Sequence, residues 1–460
     1  KEMIRSMVID VLQGQKQEMA SSQPIKQAPR GQVEPGVFDT VDEAIQAAKA
    51  AQARFEDCTL ATREKVIADI RAAMRPRVQE LAQKTVEETG MGRVADKVLK
   101  LNLTLDKTPG VEDLVTECET GDNGMTLYEL SAYGVIGAVT PSTNPAETLI
   151  CNTIGMLAAG NAVFFSVHPG AKHLSRLLVS ELNQIIAKSI GIENLIVTLR
   201  EPSIESAQEM MLHPDVSLLV VTGGPGVVKQ ALQSGKKVIG AGAGNPPAFV
   251  DETADIKKAA QDIVLGASLD NNILCIAEKS VVAMRQIEPH LVQEMVKAGC
   301  VLLENQQDIQ RLVDLTVLPN GTPNKKFVGK NASVILDAAH IPYNGDPRLI
   351  IMRAPKNHPF AVIEMLMPIL PVVTVDSFDE GLDVCLMLEA GLHHTATMHS
   401  LNMERLNRMA RKMKTSIFVK NGPSYAGLGF SGEGTTTFTI ATPTGESTTS
   451  ARCFARRRRC

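Results

Sequence analysis

Residues 268–280 read SLDNNILCIAEKS and set one cysteine, Cys275, in apolar company directly after an aspartate and two asparagines. A thiol in such surroundings is either an inert core residue or a nucleophile, because a thiolate adds readily to a carbonyl carbon. A second stretch, TPSTNP at 140–145, follows the strand-like run GVIGAV. Asn144 before a proline is ordinary turn chemistry, yet its amide is also the kind of donor that an oxyanion needs. A third, VVTGGPGVV at 220–228, puts Thr222, Gly223, Gly224 and Gly226 between an apolar run and a helix. Glycines there admit a ligand to the backbone, and free N–H groups at a helix start favour phosphate. It is not the GxGxxG fingerprint, so a plain strand-to-helix turn fits the pattern equally well. His393 and His394 are adjacent, point in different directions and lack an evident carboxylate partner; a structural role near the site wall suits them. The same holds for Glu278, three residues beyond Cys275.

These segments need a scaffold, and the chain supplies strand-then-helix units: NAVFFSV before AKHLSRLLVSELNQIIAKSI, SLLVVTGG before PGVVKQALQSG, then KVIGAG and PAFV. Short apolar strands alternating with helices predict a parallel sheet covered on both faces. A second α/β series runs from Asp251 to about residue 424. Helices ending at Gly90 precede the first series, strands are expected near 124–140, and a Thr-rich, β-prone tail ends in four arginines, Arg456 to Arg459, which read as a solvated terminus.

The chain has 460 residues, 44% of them apolar, enough for two large lobes. Aromatic residues make up 3% with no Trp, and 47 basic against 51 acidic residues leave a net charge of −4; neither suits a nucleic-acid surface. Eight cysteines without a CxxC pair fit a reducing cytoplasm and neither a disulfide framework nor a metal site. No apolar run is long enough for a membrane span, and the charged first residues do not resemble a signal peptide. The chain opens on Lys rather than Met, which suggests that the native start lies upstream. Ile4, Met7, Val8, Val11 and Leu12 form one apolar stripe on a short helix, followed by a Gln-, Ser-, Pro- and Gly-rich linker. Such a tethered helix either docks on a partner or folds back on its own protein.

Together, in order and spacing, YGVIGAVTPSTNP, VVTGGPGVV, NNILCIAEK and EMLMPILPV resemble the aldehyde dehydrogenase superfamily over about residues 37–450. The resemblance implies an α/β fold with a Rossmann-type cofactor domain, an α/β catalytic domain and a small β oligomerisation element. It implies Cys275 as nucleophile, Asn144 as oxyanion donor, and Glu364 of the Glu-x-x-x-Pro motif on the nicotinamide ribose. Thr140, Pro141, Ser142, Ser166, His168, Pro169, Thr222, Gly223 and Gly224 would hold the rest of NAD or coenzyme A. Two departures narrow this. Where hydrolytic members carry Glu-Leu-Gly-Gly-Lys, this chain reads GAGAG at 240–244, so the general base falls on Gly240; and FFSVHPGAK at 164–172 has Ser166 in place of a lysine. Both resemble the coenzyme-A-acylating branch, in which coenzyme A instead of water receives the acyl group. Members of that branch in bacterial microcompartments carry a similar N-terminal helix. The implied domains are an encapsulation helix at 1–20, a linker at 21–36, a nucleotide-binding domain at 37–247 with oligomerisation strands near 121–133, a catalytic domain at 248–430, and a C-terminal oligomerisation strand with a basic tail at 431–460. The implied substrate is propionaldehyde, with acetaldehyde as alternative. The implied setting is a homo-oligomer, dimer or tetramer, in the microcompartment lumen of the cytoplasm, bound to shell or cargo proteins through residues 1–20. A water-dependent dehydrogenase and a catalytically silent scaffold protein are the competing expectations.

Overall fold

Six short runs rich in Val, Ile, Leu and Phe form the first sheet, all parallel, in the order Val37–Phe38, Ile196–Leu199, Ala162–Ser166, Val135–Val139, Val216–Thr222, Lys237–Ala241. The chain runs outward from Val135–Val139 in one direction and then returns to build on its other side. The order therefore reverses at that strand, the doubly wound pattern of a nucleotide-binding sheet. Its central strands are buried on both faces, which is why they read as unbroken apolar runs. The computed structural model describes residues 34–460, of which Pro35–Cys460 make one compact unit. The helix expected at 1–20, and the linker expected at 21–36 as far as residue 33, lie outside the described residues.

A second parallel sheet of seven strands has the order Cys300–Leu303, Leu349–Arg353, Ile369–Val375, Ser280–Met284, Pro247–Val250, Thr395–His399, Ile417–Lys420. The change of sheet falls between Ala241 and Pro247, so the GAGAG run is the bridge from one to the other.

Helices start where the sequence provides caps. The Thr40 side chain accepts from the Glu43 N–H at the start of Val41–Glu56, and Gly90, with φ 66°, closes Val78–Thr89 in the left-handed region. The Pro145–Ala158 helix is buried at every residue. It therefore fixes whatever its N-terminus carries, and that is Asn144.

The four arginines do not trail off. Ala455–Arg459 pairs antiparallel with Gly124–Ala132, which pairs with Glu117–Gly121. Arg457 and Arg458 reach Glu117 and Glu129, each at 2.6 Å. The Arg456 and Arg457 guanidinium groups lie 4.7 and 4.0 Å from the ring centres of Tyr133 and Tyr128. A strand of like charges is stable here because acidic and aromatic partners face it across the ladder.

Candidate active site

The carboxyl ends of three neighbouring strands of the first sheet carry the cofactor-type residues. Thr140 follows Val139, and its N–H donates to the Ser166 carbonyl at 3.1 Å; Thr222 ends the strand on the other side, in register with Ala241. This is the point where strand order reverses, the position at which open α/β sheets bind ligands. Thr140 Oγ1 is buried and has no hydrogen-bond partner among the described residues. Gly224 caps the Pro225–Leu232 helix without a side-chain cap, and a Cβ at Gly224 or Gly226 would meet nothing within 4 Å. Pro141 and Ser142 line the loop to Asn144, half-buried. His168 and Pro169 lie just past Ser166, where the His168 ring accepts from the Gly170 N–H at 3.0 Å and starts a short 3-10 turn.

The second sheet presents the opposite ends of its strands. Cys275 precedes Ser280–Met284, Glu364 precedes Ile369–Val375, His394 precedes Thr395–His399, and Gly244 precedes Pro247–Val250. Cys275 packs in an apolar cluster with Cys151 of the Asn144 helix, Leu269, Leu274, Ile276, Phe438 and Phe430.

The DNN triplet explains how the cysteine is raised. Asp270, Asn271 and Asn272 have φ of 50°, 56° and 66°, three consecutive left-handed residues. Asp and Asn tolerate that region better than other side chains, and the strain persists only where surroundings impose it. Here every one is clamped. The Asp270 carboxylate accepts from the Arg93 N–H at 2.9 Å and from Lys97 Nζ at 3.0 Å. Asn271 donates to the Gly329 carbonyl and to Asn331, both at 2.8 Å, and accepts from Arg93 at 3.0 Å. Asn272 donates to the carbonyls of Ala267 and Glu278 and accepts from Lys279 Nζ at 2.6 Å.

Burial and the nearby Glu364 carboxylate push the Cys275 thiol up to about 12; Lys279 and the N–H groups of Cys275 and Ile276 work the other way. The resting group is a thiol. Burial also raises Glu364, which Lys279 and the Gly244 N–H, 3.1 Å away, help to keep charged. Lys279 itself is brought down to about 8 by burial. Burial likewise lifts Glu278 to about 7, but its carboxylate is spent on the Ser424 N–H and hydroxyl, both at 2.8 Å, so it ties the loop after Ile417–Lys420 to the nucleophile segment.

In the GAGAG ribbon each glycine is closely approached by protein. A Cβ at Gly240 would stand 2.9 Å from Val228 Cγ1, at Gly242 3.0 Å from Pro443, and at Gly244 2.6 Å from the Cys275 carbonyl and 2.8 Å from His394. The position aligned with the hydrolytic base thus carries no carboxylate, and a side chain there would press on Val228. His394 walls this corner: it is fully buried, lowered to about 4 by burial and therefore neutral, with Nε2 unpartnered among the described residues. His393 is exposed and carries the chain through a left-handed turn, φ 54°.

Asn144 is almost completely buried and fixed on both sides. Its Oδ1 accepts from Lys100 Nζ at 2.6 Å, and its Nδ2 donates to Thr143 Oγ1 at 3.2 Å. Lys97, Lys100, Lys279 and Glu147 are residues near this site to which the sequence assigned no role. The two lysines stand three apart on the buried face of Val94–Lys107, where a lysine pair passes for a solvated face.

A model of the "Aldehyde dehydrogenase family" matches residues 11–442. A propanal dehydrogenase (CoA-propanoylating) of Salmonella typhimurium is 54% identical over 92% of this chain and 91% of its own. An acetaldehyde dehydrogenase (acetylating) of the same organism is 48% identical over 93% and 92%. Among solved structures, a propionaldehyde dehydrogenase of Rhodopseudomonas palustris with bound CoA and an acylated cysteine superposes with a TM-score of 0.91 at 49% identity, covering 93% of this chain and 98% of that one. The same score is found for an engineered glycolyl-CoA reductase with bound NADP+, at 49% identity over 94% and 98%. It is found again for a propionaldehyde dehydrogenase from the Clostridium phytofermentans fucose utilisation bacterial microcompartment, at 47% identity over 93% and 98%.

Proposed function

The chain belongs to the aldehyde dehydrogenase family, and from that premise we propose that it oxidises a short aldehyde, propionaldehyde, with NAD+ and hands the acyl group to coenzyme A. The observation that carries the choice of acceptor is the glycine at 240, which supplies no carboxylate where hydrolytic members keep the base that activates water. The greater likeness to the propanal enzyme, 54% against 48%, favours propionaldehyde over acetaldehyde.

A nicotinamide dinucleotide fits the reversal point of the first sheet. Thr140 Oγ1 is a buried polar atom awaiting a partner, and the open Gly224 turn leads into uncapped N–H groups suited to a pyrophosphate. Thr140, Pro141, Ser142, Ser166, Thr222, Gly223 and Gly224 would hold it, with Glu364 on the nicotinamide ribose. His168 and Pro169 stand where the adenosine end of either NAD or coenzyme A would pass. When bound, the dinucleotide supplies the hydride acceptor.

Cys275 Sγ, once deprotonated, adds to the aldehyde carbon, and the carbonyl oxygen becomes an oxyanion facing Asn144 Nδ2 and the Cys275 N–H. Collapse with loss of hydride leaves a thioester on Cys275. The coenzyme A thiolate then adds to that carbonyl, the same donors hold the second oxyanion, and Cys275 departs as thiolate. A thiolate is a strong enough nucleophile for this exchange without the base that water would require.

The N-terminal segment 1–20, read from the sequence as an amphipathic helix, docks on shell or cargo proteins of a bacterial microcompartment, which would put the enzyme in that lumen within the cytoplasm. The microcompartment origin of a structural neighbour and the apolar stripe Ile4, Met7, Val8, Val11 and Leu12 support this. The exposed sheet of Glu117–Gly121, Gly124–Ala132 and Ala455–Arg459 supports a homo-oligomer, dimer or tetramer.

The test is a set of short aldehydes assayed with NAD+, with and without coenzyme A. Propionaldehyde should give NADH and propionyl-CoA together, only with coenzyme A present, and Cys275→Ala should abolish both. NADH with free acid and no need for coenzyme A would overturn the assignment. Deleting residues 1–20 should leave turnover intact and release a fused reporter from the compartment; unchanged co-localisation would refute the docking role.

A further inference from the structure

Lys100 Nζ touches both halves of the catalytic pair's support. It lies 2.6 Å from Asn144 Oδ1, 2.5 Å from Asp270 Oδ2 and 3.0 Å from Glu147 Oε1. Asn144 carries the oxyanion donor on the first sheet's side. Asp270 opens the left-handed turn that presents Cys275 on the second. Burial opposes the charge on Lys100, but the two carboxylates outweigh it and push its pKa up, so it is an ammonium at any working pH. An ammonium has donors and no acceptor, so the atom that Asn144 turns toward it can only be Oδ1. Nδ2 must then face the opposite way. Lys97 completes the clamp: its Nζ holds Asp270 at 3.0 Å and the carbonyl of Thr143, next to Asn144, at 3.2 Å.

We propose that Lys100 is the positioning residue that sets the flip of the Asn144 amide and locks it in register with the Asp270–Asn272 turn, a turn that Arg93, Asp96 and Lys97 hold in place without it. The proposal rests on Asn144 serving as oxyanion donor in the reaction assigned above. Without the ammonium the amide can turn over and present its carbonyl oxygen to a developing oxyanion, which repels it. The loss should fall on steps that pass through a tetrahedral oxyanion and spare reactions of Cys275 that do not.

Two reagents separate these. In acylation by p-nitrophenyl acetate the Cys275 sulfur bonds to the carbonyl carbon, an oxyanion forms, and p-nitrophenolate leaves. In alkylation by iodoacetamide the sulfur bonds to the methylene carbon, iodide leaves and no oxyanion arises. Each rate is followed on the full chain, the first by the stoichiometric nitrophenolate burst, the second by mass spectrometry of the Cys275 peptide. Lys100→Met should slow the burst and the aldehyde-dependent formation of NADH by about 10²-fold, the scale of a lost oxyanion donor. Alkylation should stay within about threefold. Because removal of one buried ion partner can unfold a protein, the charge-balanced pair Lys100→Met with Glu147→Gln, which leaves Lys97 facing Asp270, is measured alongside. In an Asn144→Ala background Lys100→Met should cost no further activity, since the two act as one unit. Parallel loss of acylation and alkylation in the balanced variant, or full additivity with Asn144→Ala, would overturn the proposal. If Asn144→Ala itself leaves the burst untouched, the oxyanion assignment fails, a result distinct from failure of Lys100 alone.

Discussion

Gly224 and Gly244 belong to opposite walls of the site. An added Cβ would find nothing within 4 Å at the first but the Cys275 carbonyl at 2.6 Å at the second. The same residue type serves two ends: on the first sheet it keeps space for a ligand, and on the second it lets protein pack against protein. The contrast extends to the polar groups. The first sheet's side leaves Thr140 Oγ1 unpartnered and a helix start uncapped, whereas the second clamps Asp270, Asn271 and Asn272 through side chains on distant elements. One wall keeps room and a free hydroxyl for a ligand; the other is finished but for groups such as His394 Nε2, unpartnered among the described residues.

The sharpest way to break this contrast is Gly244→Ala. The new methyl must displace the Cys275 backbone or His394, so we expect about 1–3 kcal/mol of lost stability and a lowered kcat, read by thermal melting and steady-state kinetics. An unshifted melting temperature would mean that the wall yields. Gly224→Ala should do the reverse, leaving melting unchanged while the KM for NAD+ rises several-fold. Glu364→Gln tests the electrostatics of the finished wall. The carboxylate holds the Cys275 thiol up, so neutralising it should move the pH midpoint of alkylation below about 12 and speed the reaction at neutral pH, about tenfold for each unit of movement. An unchanged profile would show that burial alone sets the thiol. The smallest effect is expected far from both walls: the Arg458 and Glu129 side chains are exposed, and Arg458→Ala should leave the melting temperature where it was.

Legibility in the sequence followed locality. Val135–Val139 and Val216–Thr222 announce themselves by apolar runs, and the turns after them by Asn-Pro and Gly-Gly, because each signal lies within a few residues of what it determines. The ion cluster does not, since Lys97 and Lys100 meet Asp270 some 170 positions later, and a lysine looks the same in sequence whether it faces water or a buried carboxylate. The arginine run is solvated as expected, and its side chains say nothing of the strand they sit on: the pairing partner, Gly124–Ala132, lies more than 300 residues earlier. Asp270 to Asn272 were visible as unusual residues before a cysteine, but a left-handed triplet has no local pattern of its own.

The glycine ribbon also bears on what a new side chain there would disturb. Gly240 abuts Val228, so a glutamate there would bring its Cβ to within 2.9 Å of a branched side chain with a strong rotamer preference in a helix, and one of the two has to shift. The ribbon therefore couples the acceptor chemistry to packing: a carboxylate at 240 has to come with a shift of the helix that carries Val228, so the two changes are linked through one methyl group.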